Sequence, residues 1–551
     1  MAAPPVDRSF GDFSTIAAAL EQAATSSQEL AFWTAPGARS GRLSYRQLRD
    51  EARRAASRLS GMGYSPGDRI GLIAETGRDF LITFYACQYA GLIACPLASP
   101  IYLGGKDHGV LRSRRLAQNA GMAALIGPEN LMPLVQTVVS GLSTVALSYR
   151  TIFETGLTGP LRPLGADDAA YIQYSSGSTA EPKGVLITQR AVNANARGIL
   201  QQGLEVVPED RCVSWLPLYH DMGLFGFSIA PMFAQVSVDY MSPPAFARRP
   251  ASWLELISAT RATISFAPSF AYKLAGDRVG EDRDRLDLSS WRIAGVGADM
   301  IPLKVLDDFT ELMKPTGFRK DAFLPSYGMA ESVLGVSFTR PSAPFRTSRP
   351  RHNENLFVSC GKPFDGHDIA VVDEHGKVLG DGAIGRVWIR GPSIMKGYFA
   401  DPVATEAVRQ RDGFIDTGDL GFKDHAEIFI TGRSKEVIKI NGRSLWPQDV
   451  EWITAEIAGL GIGDAVAFDT VGDAGVRIVL LIKQSKIAPA IRADTAAKLG
   501  AAINSNLGIM PDIIFVPSRF LPRTPSGKIA RNLARQLFEA SDAVSATETN
   551  V

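Results

Sequence analysis

The chain has 551 residues, of which 45% are apolar and 21% charged, and its formal net charge is +1. A chain of that length exceeds one compact core and is expected to fold as several domains or subdomains. The near-neutral balance supplies no field that would favour nucleic acid or an acidic membrane, and no apolar run is long enough to span a bilayer.

Four cysteines (Cys87, Cys95, Cys212 and Cys360) are scattered without paired spacing. They read as buried thiols in a reducing compartment, not as a disulfide frame or a zinc site. The start, Met-Ala-Ala-Pro-Pro-Val-Asp-Arg, lacks the charged-then-apolar pattern of a secretory leader, so a cytoplasmic enzyme is expected. His352, His367, His375 and His425 lie in polar, turn-like contexts and are expected at the surface.

In chain order, Arg69-Ile-Gly-Leu-Ile-Ala reads as a short apolar strand, Asp79 to Ala90 as a helix closed by Gly91, and Leu92-Ile-Ala-Cys-Pro-Leu as a second strand. Strand, helix and strand form a βαβ unit and imply a parallel sheet. Tyr171-Ile-Gln-Tyr-Ser-Ser-Gly-Ser-Thr-Ala-Glu-Pro-Lys-Gly-Val185 follows. An apolar strand breaks there into hydroxyls and glycine, ends on a lysine and resumes as a second apolar run. Hydroxyls, backbone N–H groups and one ammonium can converge on a polyanion, most plainly the phosphates of a nucleotide. The spacing is not that of a Walker A loop, and an ordinary surface loop is the competing reading.

Thr263-Ile-Ser-Phe-Ala-Pro and Arg292-Ile-Ala-Gly-Val-Gly read as further strands. Ligands of such sheets gather beyond the carboxyl ends of the strands, which makes the Gly295–Asp299 turn a candidate rim. From about residue 368 the texture changes to short strands between Gly/Asp turns: Asp368-Ile-Ala-Val-Val-Asp, Gly385-Arg-Val-Trp-Ile-Arg-Gly and Glu427-Ile-Phe-Ile-Thr-Gly. That is a β-rich subdomain. A final unit of mixed helices (447–458, 491–507) and strands (465–468, 477–482) begins near 432–436, and the small polar residues from Ala540 onward are expected to be disordered.

Five more runs carry unusual polar density. They are Trp215-Leu-Pro-Leu-Tyr-His-Asp-Met-Gly-Leu224, Ser326-Tyr-Gly-Met-Ala-Glu331, Ile415-Asp-Thr-Gly-Asp-Leu420, Ile430-Thr-Gly-Arg-Ser-Lys-Glu-Val-Ile-Lys-Ile-Asn-Gly-Arg443 and Pro522-Arg-Thr-Pro-Ser-Gly-Lys-Ile-Ala-Arg531. Singly, each also fits a plain turn or solvated loop. In this order, from about residue 40 to about 535, they resemble the adenylate-forming superfamily of acyl-CoA ligases, peptide-synthetase adenylation domains and luciferases. The nearest likeness is to fatty acyl-AMP ligases, carried also by Val358-Ser-Cys-Gly-Lys-Pro363 and Pro447-Gln-Asp-Val-Glu451.

The resemblance implies an α/β fold. Residues 1–432 would form a large N-terminal domain of two layered α/β subdomains and a small β-barrel-like one at about 355–432. A mobile α+β domain would cover 433–539, with a tail at 540–551. It implies ATP and Mg²⁺ as cofactors, a fatty acid as substrate, and the phosphopantetheine thiol of a separate acyl carrier protein as acceptor. CoA as acceptor is the alternative, and a catalytically dead sensor on the same scaffold is a third reading.

By the same resemblance, Ser175, Ser176, Gly177, Ser178 and Thr179 with Lys183 would cradle pyrophosphate, and Thr179 and Glu331 would hold Mg²⁺ through hard oxygen ligands. Tyr327, in the run Ser326, Tyr327, Gly328, Met329, Ala330, would stack on adenine, with Gly297, Ala298 and Asp299 as the other edge. Asp419 and Arg433 would bind the ribose. Lys528 would span the carboxylate and α-phosphate oxygens and offset charge in the transition state. Lys435 would be the hinge of a rotating domain, Lys439 and Gly442 would lie near the thiol channel, and His220 would be a substrate-side gate or a packed histidine. Phe225, Ile229, Met232 and Phe233 at helical spacing, with Phe266, Phe270 and Tyr272, are candidates for an acyl tunnel.

The likeness departs in four places. Ala180-Glu181, Gln189 and Asp299 stand where the family usually has other residues, and none removes a charge that the chemistry needs. Fatty acyl-AMP ligases usually carry an insertion between Phe338 and Val358 that restrains CoA-dependent turnover. Here that segment is short, basic, proline-rich and loop-like.

Overall fold

A computed structural model describes residues 13–548 apart from 103–105, 175–181, 352–354, 441–442, 462, 473–474 and 524–528. The chain divides into two compact units that part between Thr431 and Gly432.

The larger unit is built on two open sheets. In the first, seven strands run in the order Gly397–Tyr398, Gly184–Thr188, Ala169–Tyr174, Ile93–Leu97, Arg69–Ile73, Ala124–Gly127, Val145–Ser148. Its centre is the expected βαβ unit: Arg69–Ile73 pairs in parallel with Ile93–Leu97 through the helix Arg78–Ala90. That helix carries large apolar side chains on every side and is buried from Phe80 to Ala90. It stops at Gly91, whose φ of 74° is left-handed, and a Cβ there would come within 2.7 Å of the Arg162 carbonyl oxygen. Only glycine meets both demands.

The second sheet has nine strands in the order Lys362–Pro363, Gly335–Phe338, Phe323–Gly328, Ile293–Val296, Ile264–Ala267, Arg211–Ser214, Ser237–Met241, Glu29–Ala35, Ala38–Ser44. Beside it Trp253 packs edge-on to Tyr272 and Trp291 and donates its indole N–H to Ser265 Oγ at 2.9 Å. A buried indole needs that partner.

The β-rich subdomain is an open antiparallel sheet of Asp368–Val372, Gly385–Arg390, Ile415–Asp424 and Glu427–Arg433. Among the described residues it closes no barrel. The segment read as a loop between Phe338 and Val358 contains a short strand, Thr347–Ser348, paired with Phe357–Val358. Arg346 ties it down through Asp424 at 3.0 Å. The boundary glycine, Gly432, has φ 147°, and a Cβ on it would meet the Trp446 ring at 2.9 Å.

The smaller unit has a three-stranded sheet, Ala465–Gly472, Gly475–Lys483 and Asp512–Val516, packed with helices Pro447–Ala458, Arg492–Leu507 and Arg531–Glu548. The strand Asp512–Val516 has no counterpart in the sequence reading. The last helix also runs past Ala540, where disorder was expected: Ala540-Ser-Asp-Ala-Val-Ser-Ala-Thr-Glu548 contains no Gly or Pro to stop it.

Candidate active site

The strand Ala169–Tyr174 leads into the hydroxyl-rich loop, and Ser175, Ser176, Gly177, Ser178 and Thr179 lie outside the described residues. The described chain resumes at Pro182 and Lys183, then pairs back antiparallel with Tyr174 opposite Gly184. The Lys183 ammonium lies 4.5 Å from the centre of the Tyr398 ring. The Tyr398 hydroxyl donates to Glu331 Oε1 at 2.8 Å. One aromatic side chain therefore touches both the candidate phosphate lysine and the candidate metal carboxylate. The sequence reading missed Tyr398, because a two-residue strand has no periodicity to detect.

The candidate adenine wall forms where two parallel strands end side by side. Val296 is opposite Pro325, so Gly297, Ala298 and Asp299 emerge beside Ser326 and Tyr327. A Cβ on Gly297 would sit 2.8 Å from Ser326 Oγ, so the approach requires glycine. Ala298 adopts φ 69°, a left-handed value uncommon outside glycine. Asp299 is exposed and caps its own turn by accepting from the Met300 N–H at 2.8 Å. Gly328 is equally constrained: a Cβ would lie 1.8 Å from the Leu334 carbonyl oxygen.

The Tyr327 hydroxyl donates to Asp419 Oδ2 at 2.7 Å, which joins the adenine and ribose candidates directly. Asp419 was read as part of a turn. It sits inside the ten-residue strand Ile415–Asp424, where Ile415, Thr417 and Asp419 alternate inward. Gly418 at φ 73° bends that strand, and the Asp419 N–H donates to Thr417 Oγ1 at 3.0 Å. The Thr-Gly-Asp run mimics a turn because a bulge needs the same residues.

Glu331 occupies a tight turn, followed by Val333 at φ 67°, a strained value for a β-branched residue. Met329 and Ala330 enter that turn. A buried polar chain holds it: Ser332 Oγ and Ser393 Oγ are 2.8 Å apart, and Ser393 Oγ lies 2.6 Å from His367 Nε2. His367 is thus only 5% exposed, against the surface position expected. Burial pushes its pKa down. His375 and His425 are exposed, and His352 lies outside the described residues.

His220 caps a short helical turn, with Nδ1 2.6 Å from Asp221 Oδ1. Gln173 donates to the Tyr219 carbonyl at 2.7 Å, while its own buried Oε1 has no hydrogen-bond partner. The helix after His220 walls a narrow apolar cavity, partly open to solvent and lined among others by Met222, Gly226, Phe227, Ala230, Phe266 and Phe338. No charged, amide or hydroxyl side chain lines it. Of the tunnel candidates only Phe266 lines it; Phe225, Ile229, Met232 and Phe233 are buried elsewhere in the core. The reason is a π-helical turn, Phe225–Ile229, which rotates the following face away from ordinary helical spacing. A second π turn, Gly198–Gly203, contributes Ile199 and Leu200 to the same lining.

Arg433, Lys435 and Lys439 belong to the smaller unit, and Arg433 and Lys435 are exposed. Lys528 and Gly442 lie outside the described residues. Three residues beyond Lys528, Arg531 donates to both oxygens of Glu451 at 2.9 and 3.0 Å, to Glu436 and to the Ala467 carbonyl at 2.9 Å. Glu436 adjoins Lys435 in sequence.

Among the described residues no group of three His, Cys, Asp or Glu side chains could hold a metal by itself. The donor set fits Mg²⁺ in a narrower way. This cation keeps waters and takes one or two carboxylates together with substrate phosphates, and Glu331 offers one hard, oriented carboxylate. Such an ion would offset phosphate charge.

The family model of AMP-binding enzymes, described as "AMP-binding enzyme", matches residues 20–399. The chain therefore belongs to the AMP-binding enzymes, the adenylate-forming ligases. It is 38% identical over 550 residues, 96% of each chain, to a Caulobacter vibrioides protein whose name assigns it provisionally to the acyl-CoA synthetases. It is 29% identical over 534 residues, 90% of each chain, to the medium-chain-fatty-acid–[acyl-carrier-protein] ligase JamA of Moorena producens. Its fold matches a structure from work on fatty acyl-adenylate ligases of E. coli and L. pneumophila. That match has a TM-score of 0.90 and 37% identity, and it covers 97% of this chain and 99% of the other. No helix among the described residues is long and apolar enough to cross a membrane.

Proposed function

We propose that the protein converts a fatty acid and ATP to acyl-AMP and pyrophosphate, then passes the acyl group to the phosphopantetheine thiol of a separate acyl carrier protein. The observation that carries the substrate is the apolar cavity. Its lining carries no charged, amide or hydroxyl side chain, and only the Cys212 thiol and Met222 thioether as weak polar groups, so it suits an alkyl chain better than one that bears a hydroxyl or an amine. Its lining shares short chain segments with the polar groups: Met222 follows His220 by two residues, and Leu334 follows Glu331 by three.

A free carboxylate is a poor electrophile, because its charge repels nucleophiles. Attack of its oxygen on the α-phosphorus of ATP expels pyrophosphate and leaves AMP as a good leaving group. Catalysis is then positioning and charge neutralisation. In this reading Lys183 and the 175–179 loop bind the departing phosphates, with Thr179 and Glu331 holding Mg²⁺. Tyr327 and the 297–299 turn, with Ser326, Gly328, Met329 and Ala330, form the adenine pocket. Asp419 and Arg433 take the ribose. Lys528 neutralises the reacting oxygens, Lys435 is the hinge, and Lys439 serves the thiol half-reaction. His220 gates the acyl end. Arg531, clamped to Glu436 and Glu451, couples the Lys528 segment to the hinge. We place the domain boundary at the hinge and the enzyme in a reducing compartment, in keeping with its four buried, unpaired thiols.

The carrier acceptor is supported by the relative named for that acceptor, whereas the short 339–357 segment, lacking the usual insertion of fatty acyl-AMP ligases, leaves room for CoA. Transfer to CoA is the second reading, favoured by the name of the Caulobacter relative. The test offers dodecanoate, ATP and Mg²⁺ with equimolar holo-carrier protein and CoA, and reads both acylated products by mass. Acyl-carrier in large excess is expected; predominant acyl-CoA would overturn the acceptor assignment.

A further inference from the structure

We propose that Tyr398 is a positioning residue, fixing the ammonium of Lys183 and the carboxylate of Glu331 before nucleotide arrives. The inference rests on the reading of this site as a nucleotide site, and it concerns a side chain to which that reading gives no task.

The backbone around Tyr398 is held from several sides. Tyr398 pairs antiparallel with Val185, and the Phe399 N–H donates to the Gly184 carbonyl at 2.7 Å. The Lys396 N–H donates to the Leu186 carbonyl at 3.0 Å, and the Met395 N–H to the Glu331 carbonyl at 2.8 Å. The Tyr398 N–H donates to Thr405 Oγ1 at 2.9 Å. Gly397 has φ 155°, and a Cβ on it would meet Thr405 Cγ2 at 2.9 Å, so the strap can adopt this path only with glycine. Residues 395–399 therefore stitch the strand leaving the phosphate loop to the turn that carries Glu331.

On that fixed backbone the ring has two separable contacts. Its hydroxyl gives its one proton to Glu331 Oε1, a charge-assisted hydrogen bond that orients the carboxylate. Its face lies under the Lys183 ammonium, within the range of a cation–π contact. Lysine and glutamate side chains are long and lose much freedom on ordering, whereas tyrosine has two side-chain torsions and is 9% exposed here. A rigid ring thus sets the places of two flexible charges of opposite sign. A tyrosine that merely filled space would make neither polar contact.

The two contacts predict different losses. Tyr398→Phe removes the hydrogen bond and keeps the ring; Tyr398→Leu removes both. In the full chain with a non-hydrolysable ATP analogue, Mn²⁺ binding followed by electron paramagnetic resonance is expected to weaken about 10-fold in Tyr398→Phe, the usual cost of losing a group that orients a metal ligand. Inorganic pyrophosphate binding by calorimetry is expected to stay within about twofold of wild type in that variant and to fall about fivefold in Tyr398→Leu. The phenylalanine variant preserves ring volume, so its folding is expected to be intact, with an unchanged melting temperature as the control. Wild-type affinity for Mn²⁺ in Tyr398→Phe, or a Tyr398→Leu protein with both affinities unchanged, would overturn the proposal alone. A wild-type chain that bound neither probe would overturn the nucleotide reading and this proposal with it.

Discussion

The apolar cavity and the polar rim of the larger unit grow from neighbouring stretches of chain, yet they follow opposite rules. At the rim the candidate carboxylates are held by named hydrogen bonds: Tyr327 to Asp419 and Tyr398 to Glu331, with the His367–Ser393–Ser332 chain behind the Glu331 turn. The cavity offers no such handle, and its walls are shaped by two π turns and a glycine. Electrostatic preorganisation suits a reaction whose charge moves at a fixed centre. Shape alone suits an alkyl chain, which has surface but no direction.

The largest effect is expected from outside both regions. Lys528→Ala should lower the rate of acyl-AMP formation by about 10²–10³-fold, the cost of a lost transition-state donor. Transfer from preformed acyl-AMP should be nearly unchanged, and single-turnover assays of each half-reaction measure the split. Next comes a change of shape. A Cβ on Gly226 already lies 3.2 Å from Leu334 Cδ2, so Gly226→Leu projects into the cavity. Adenylation of the longest accepted acid should fall about 100-fold while that of a short acid falls far less, a contrast a chain-length series would expose. Asp419→Asn removes charge at the rim but not volume. It should raise the KM for ATP about 10-fold, the scale of a hydrogen bond to a charged group, and leave chain-length preference unaltered. If Gly226→Leu shifted the KM for ATP, or Asp419→Asn shifted chain length, the division between the two regions would fail.

The smallest effect is a pair of opposite pH slopes. Burial holds His367 below its usual pKa, so its neutral form is favoured by folding. That stability is full above the unfolded value of about 6.5 and is lost as pH falls below it. Asp449, at the start of a helix in the smaller unit, is pushed by burial up to about 7. Its stability is full below the unfolded value of about 3.9 and is lost as pH rises through about 7. His367→Gln should flatten the acid side of the melting profile, and Asp449→Asn should raise the melting temperature at pH 8 but not at pH 4. Calorimetric scans across pH test both.

What the sequence disclosed follows from how each part carries information. The βαβ unit was legible because apolar period, Gly91 and strand composition all agree. The rim residues were legible only as a set of short runs in a fixed order. Tyr398 was not, since its contacts are with residues some 67 and 215 positions away. His367 looked exposed because its neighbours Asp365, Gly366 and Asp368 are turn-forming, while its ring is packed against Phe364 and Gly391 and hydrogen-bonded to Ser393. Phe225, Ile229, Met232 and Phe233 miss the cavity for a third reason: helical spacing was assumed through Phe225–Ile229, where the helix winds wider. Asp419 was legible as a candidate, but its place inside a strand was hidden by a bulge that shares its residues with turns.

The most direct test of the whole account is carboxylate-dependent exchange of labelled pyrophosphate into ATP by the wild-type chain with Mg²⁺. Saturated fatty acids are expected to drive exchange, and chains ending in a hydroxyl or an amine to drive far less, because no charged, amide or hydroxyl side chain lines the cavity to pair those groups. Exchange that ignored added fatty acid, or that preferred polar-ended chains, would contradict the claim that one apolar cavity and one preset polar rim together make an acyl adenylate.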